Sequence, residues 1–195
     1  MSSKKRYPLR IPRYTTGIRS QESRTGQGRS WWAKRWLDII EAMQLKGRLG
    51  RGKNYAMSGQ VLTIEIEGNR LVSRVQGMRE NPYEVTIDFD MPDPAARKRI
   101  VAAIRKEPIL AARLLADDLP LEIEEIFKRE GAHLFPGGKL GPGKYDMTTH
   151  CSCPDYANPC KHTVAVLLVL GEEITRRPAT LLELRGIRME ELYEN

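Results

Sequence analysis

Residues 61–90 read VLTIEIEGNRLVSRVQGMRENPYEVTIDFD, and apolar residues alternate with polar ones through VLTIEIE, RLVSRVQG and YEVTIDFD. A period of two marks a strand with one buried face. Gly68-Asn69, between the first two runs, is a tight-turn dipeptide, so the segment predicts a three-stranded antiparallel meander. On its N-terminal side the period changes. In SWWAKRWLDIIEAM, residues 30–43, Trp32, Trp36, Ile39, Ile40 and Met43 share one helical face, and Ser30 stands at the N-cap position. Between that helix and the meander, KGRLGRGKNYAMSGQ (46–60) is Gly-rich and basic and reads as a loop.

On the C-terminal side, Asp93 and Pro94 are a cap and first-turn signal for a helix through AARKRIVAAIRKE. Further helices are expected over about 108–116 and about 120–130, the latter stopping at Gly131. FPGGKLGPGK (135–144) holds four Gly and two Pro and reads as a linker. HTVAVLLVLGEEI then reads as a helix buried on most sides, and Pro178 opens a short final helix, ATLLELRG. The fold class expected is α+β: a small antiparallel β-meander with helices, plus a C-terminal zinc finger made of a short hairpin or loop and a helix. The expected division is a mobile basic arm over 1–29, an α+β body over 30–134, the linker, and the finger with its C-terminal helices over 145–195.

The 195 residues suffice for one ordinary core plus a small module. The longest apolar run, Val164 to Leu170, is far short of the roughly 18 residues a spanning helix needs. The N-terminus is basic without an apolar stretch behind it, unlike a secretory signal. A soluble, cytoplasmic protein without a membrane partner is expected. The net charge of +7 is unevenly placed: residues 1–35 carry +9, leaving −2 for the rest. A single-sign arm attracts polyanions, because each cation that neutralises a phosphate releases a condensed counterion.

All three cysteines lie between 151 and 160, in CSCPDYANPCKH. An odd, clustered set argues against disulfides and for a metal. Cys151 and Cys153, then Cys160 and His162, form two close pairs separated by a Pro/Asn turn, the donor set and spacing that tetrahedral Zn²⁺ takes. Four protein ligands fill the tetrahedron, so one structural zinc is expected. Binding worth about 10–16 kcal/mol implies a finger that melts without its metal. Three buried thiols without metal, and a catalytic pair such as Cys153 with His162, are the competing readings; both must explain why every cysteine falls in one ligand-spaced window. His150 adjoins the set as a second-shell or solvated group, and His133 reads as structural.

The Cys-x-Cys, short gap, Cys-x-His pattern followed by an apolar helix resembles the SWIM zinc finger of small prokaryotic proteins. SWWAKRW, GRGKNYAMSGQV and SRVQGMRENPYEVTI are similar to the N-terminal region of that group. The resemblance implies a zinc-binding module for DNA or protein binding, in a family often associated with SWI/SNF-type helicases. It implies no enzymatic activity, and it carries the ligand role to Cys151, Cys153, Cys160 and His162.

Nucleic acid, DNA first, is therefore the expected partner. Candidate contacts are Lys4, Lys5, Arg6, Arg10, Arg13 and Arg29 in the arm, then Lys34, Arg35, Arg48, Arg51 and Lys53, with Trp31, off the apolar face of its helix, as a stacking residue. The plainer reading of the arm is a solvated terminus. The alternative function is a protein adaptor docking on a SWI/SNF-type helicase or other DNA-processing complex. Leu181, Leu182, Leu184, Met189 and Leu192 would offer it an apolar face unless they pack inward. An enzyme is not expected: there is no nucleotide loop, nucleophile motif or open metal site, and Glu122, Glu124 and Glu125 read as a solvated helix face.

Overall fold

The computed structural model describes residues 12–20, 30–137 and 145–193. Lys4, Lys5, Arg6, Arg10 and Arg29 of the basic arm, and 138–144 of the Gly/Pro segment, lie outside the described residues. The meander forms as read. Strands β1 (Val61–Glu67), β2 (Arg70–Val75) and β3 (Tyr83–Phe89) are antiparallel neighbours. A fourth strand, β4 (Met147–Cys151), pairs antiparallel with β3, with Val85 opposite Cys151 and Phe89 opposite Met147. The alternation does its expected work: Leu71, Val75, Val85, Ile87 and Phe89 are buried, while Glu65, Arg74 and Glu84 on the other face are exposed.

Seven α-helices are present among the described residues: α1 (Trp31–Ala42), α2 (Gly47–Met57), α3 (Pro94–Arg105), α4 (Pro108–Leu115), α5 (Leu121–Arg129), α6 (Lys161–Arg176) and α7 (Thr180–Glu183). A 3₁₀ turn over Met189–Leu192 follows them. Asp93 caps α3 through Oδ1, which accepts from the amides of Ala95 at 2.9 Å and Ala96 at 3.0 Å. No helix among the described residues is long and apolar enough to cross a membrane.

Helix α2 corrects the loop expected over 46–60. Glycine disfavours an isolated helix by about 1 kcal/mol per residue, but tertiary packing overrides that here. A Cβ on Gly52 would stand 2.4 Å from Val164 Cγ1, so the bare backbone of α2 lies directly on α6, with Tyr55 and Ala56 buried beside it. Gly171 does the same service for α1: a Cβ there would meet Trp36 Cδ1 at 2.5 Å, and the Trp36 indole donates to Leu167 O at 2.9 Å.

Helix α6 is the centre of the molecule, packed on α1, α2 and all four strands. Its buried residues run continuously from His162 to Gly171, each large aliphatic one worth about 1.5–3 kcal/mol of transfer free energy. The chain on both sides of the Gly/Pro segment thus shares one sheet and one core, and 145–193 does not stand apart as a separate finger. Leu181, Leu182, Leu184, Met189 and Leu192 are all buried, so of the two readings of the C-terminal apolar face, inward packing is the one the fold adopts.

Residues 12–20 are likewise not a free arm. The Gly17 amide donates to Gly59 O at 3.1 Å, Ile18 to Val61 O at 2.7 Å and Arg13 to Gly77 O at 3.0 Å. The segment covers the edge of β1, whose unpaired backbone would otherwise invite another strand. Glu124, expected on a solvated face, is buried and lies 3.1 Å from Lys128 Nζ and 3.8 Å from an Arg35 guanidinium nitrogen.

Candidate metal centre

Each ligand arrives from an element with its own reason to be there. Cys151 ends β4. Beyond it the ladder continues through Ser152, whose amide donates to Glu84 O at 2.9 Å and whose Oγ accepts from the Glu84 amide at 2.9 Å, and this holds the backbone that carries Cys153. The knuckle that follows is tied to β4 by Asn158, whose Nδ2 donates to Thr149 O at 2.8 Å and whose Oδ1 accepts from Thr149 Oγ1 at 2.6 Å. Arg48 of α2 donates to Pro159 O at 2.8 Å and fixes its far end. Cys160 then caps α6, and His162 sits in that helix's first turn.

The four donor atoms lie within 4.8 Å of one another. His162 Nδ1 is 3.8 Å from Cys151 Sγ and 3.7 Å from Cys160 Sγ. Tetrahedral zinc with ordinary Zn–S and Zn–N bonds places S and N about 3.6 Å apart. The donors need to close by no more than about 1 Å to take Zn²⁺, and the protein fills all four positions: this is a site for one structural zinc. His150 is exposed on β4, and His133 is 2.8 Å from Asp146 Oδ2, a structural pairing.

Electrostatics prepare the thiols unequally. The Cys160 sulfur accepts from the Cys151 thiol, and also from His162 and Thr163, which brings its pKa down to about 2 against the cost of burial. Cys151 is pushed up, first because its proton is shared with Cys160 and then by burial; Cys153 is pushed up by burial. Without metal, one proton holds the pair together where zinc belongs. With zinc and three thiolates the centre carries −1, facing the positive N-terminal end of α6.

The centre is one wall of an open cleft of about 760 Å³. Arg51 of α2 and Lys161 stand at this cleft. Tyr55, Tyr83 and Tyr156 line it as well, and the chain enters the described structure beside it at Pro12. Of the expected nucleic-acid contacts, Arg51 is brought to the metal centre, whereas Arg48 is spent holding the knuckle. Arg13 is exposed, Lys34 is exposed on α1, Arg35 is near Glu124, and Lys53 is 3.8 Å from Glu41. Trp31 is half-buried: its indole donates to Leu119 O at 2.9 Å and its ring meets Trp32 and Phe135 edge-on at 6.1 and 5.8 Å. Its contacts are with the body. Lys161 and the three tyrosines were missed. Lys161 lies in plain view between two ligands, but nothing in the spacing says that α2 packs beside it.

The SWIM zinc finger family model matches residues 143–171, which run through β4, the knuckle and the first part of α6. The chain is 33% identical over 179 residues to an uncharacterized protein of Mycobacterium tuberculosis. That match covers 92% of this chain and 63% of the relative, so the chain spans less than two thirds of the relative's length. No solved structure matches. With Cys151, Cys153, Cys160 and His162 converging at zinc-binding distances inside the matched segment, the chain carries a SWIM zinc finger.

Proposed function

We propose that this protein binds DNA, with the zinc finger acting as the rigid support of a basic face. The observation that carries the reading is the pair Arg51 and Lys161. They stand together over the metal centre, and no carboxylate pairs with either among the described residues. Pro12 lines the same cleft, and Lys4, Lys5, Arg6 and Arg10 precede it in the sequence by two to eight residues. Phosphates neutralised there release counterions, giving affinity that falls steeply with salt. The role is one of binding, in the cytoplasm, with no catalytic step assigned.

Fluorescence anisotropy of the zinc-loaded protein with labelled DNA across a salt series tests this, beside a truncation lacking residues 1–11. A steep slope that flattens in the truncation supports the reading. No binding at low salt overturns it.

The second reading is an adaptor for a SWI/SNF-type helicase. What favours it is a groove beside the C-terminal turn, bordered by the exposed side chains of Leu115 and Tyr193 and apart from the metal cleft. Recovery of no large ATPase with the full chain from its native cells would remove it.

A further inference from the structure

We propose that the cleft between α2 and the zinc knuckle seats one unpaired nucleotide of a DNA single strand, its phosphate between Arg51 and Lys161 and its base against the ring of Tyr156. This rests on the DNA-binding reading and specifies where and in what form the strand is held.

At the floor of the cleft the protein leaves one polar group without a partner. The His162 ring packs against Tyr55 and Tyr83, with centroids 5.1 and 4.6 Å away. Its Nδ1 faces the thiols, so Nε2 points away from the metal, and that atom is buried without a hydrogen-bond partner. With zinc on Nδ1, Nε2 carries the proton and is a donor. The hydroxyls of Tyr55 and Tyr83, both on rings that are otherwise buried, border the same cleft. A donor left without a partner beside a concave, partly aromatic site is the usual mark of a ligand that brings an acceptor.

The rim supplies the charge. Lys161 Nζ stands 5.7 Å from the Tyr55 ring centre, and the Arg79 guanidinium 5.9 Å from that of Tyr83. Arg51 is exposed beside them. Asp155 is the opposing carboxylate in the cleft, and its Oδ1 is already engaged by the Ala157 amide at 3.1 Å. The balance favours an anionic ligand such as a phosphate over a neutral or cationic one.

Tyr156 supplies the aromatic face. It is 100% exposed, yet the backbone under it is held on both sides by zinc ligands and by the Asn158 and Arg48 bonds. An aromatic ring with nothing against it, carried on a backbone tethered in this way, is suited to base stacking, which accepts any base. A paired base keeps both faces inside the duplex, and a cleft of about 760 Å³ admits a nucleotide and not a double helix. The single strand is therefore the form that fits.

The test uses the zinc-loaded full chain with a labelled twelve-nucleotide oligodeoxythymidine and with a duplex of equal length. Single strand should bind tighter than duplex. Tyr156→Ala should weaken single-strand binding about tenfold, as loss of one stacked base does, while Tyr156→Phe retains it and duplex binding stays unchanged. Arg51→Gln should reduce the salt slope by about one phosphate. Both residues are exposed, so each variant should keep its zinc and its melting temperature. Binding insensitive to both substitutions but abolished by removing residues 1–11 would overturn the site and leave the DNA reading standing. No binding of either DNA form would overturn both. Displacement of the strand by a polyglutamate peptide at equal concentration would replace DNA with an acidic protein as the ligand.

Discussion

Cys160 occupies the place in this molecule where a thiolate gains most: it is 1% exposed, it opens α6, and it accepts from Cys151, His162 and Thr163. Cys160→Ser should therefore reduce bound zinc from one per chain to nearly none, measured by metal analysis after gel filtration. The signs of the thiol shifts give a second expectation. Cys160 has a folded pKa below its usual 9.0, so in the metal-free chain the stability it adds is full above that value and is lost as pH falls toward about 2. Cys151 and Cys153 are shifted the other way, so what they add is present below the ordinary thiol value and is lost as pH rises past it. At pH 8 zinc then displaces protons from Cys151 and Cys153 only. Calorimetry in buffers of different ionisation enthalpy should count about two protons released from the thiols; three would mean that Cys160 is not ionised beforehand. Another residue acts far from the metal. Arg185 is 1% exposed, and burial brings its guanidinium down to about 10. It donates to Leu134 O at 3.1 Å, to Asp90 O and to Asp146 O, and lies 3.8 Å from the Asp146 carboxylate. Arg185→Ala should cost about 3–5 kcal/mol in urea unfolding, because it leaves buried carbonyls without their donor and the Asp146 carboxylate with His133 alone. Nothing in RGI at 185–187 announces a buried cation, since its partners come from three separate segments.

At the scale of elements, the most instructive piece is α2. Its composition, with Gly47, Gly50 and Gly52 among Arg and Lys, reads locally as a basic loop. Its helicity is a property of the surface it lies on. Gly52 and Gly50 look alike in the sequence and sit in opposite environments: a Cβ on Gly52 meets Val164 at 2.4 Å, while one on Gly50 meets nothing within 4 Å. Gly52→Ala should thus destabilise by about 1–3 kcal/mol through overpacking against α6. Gly50→Ala should stabilise by about 0.5–1 kcal/mol through helix propensity. Thermal denaturation of the two variants side by side decides this, and equal effects would refute the packing account. Strands β1 to β3 and helices α1, α3, α4, α5 and α6 were legible because each carries a period, a cap or a stop of its own. Strand β4 was not: MTTHC is short and only half alternating, and it becomes a strand because β3 offers it an edge.

At the scale of the whole molecule, zinc and core are one system. Since α6 carries His162 at one end and the body's central packing along its length, removal of metal should not melt a finger by itself. Scanning calorimetry should show one transition with zinc and one, at lower temperature, after chelation; two separated transitions in the chelated sample would show that the finger unfolds independently. The N-terminal segment divides in the same spirit. Deleting residues 1–11 should leave the melting temperature unchanged, while deleting 1–20 should lower it and promote self-association, because the β1 edge loses its cover. The metal ligands, the meander and most helices could be read from the chain alone, because ligand spacing, alternation and capping are short-range signals written in adjacent residues. Where the basic residues go could not be read in this way. Arg48 to a knuckle carbonyl and Arg51 and Lys161 to one cleft depend on α2 meeting elements more than a hundred residues away in sequence, and Trp31 reaches Leu119 across 88 residues. Such meetings are set by shape and buried area across the whole fold, and no local pattern of residues encodes them.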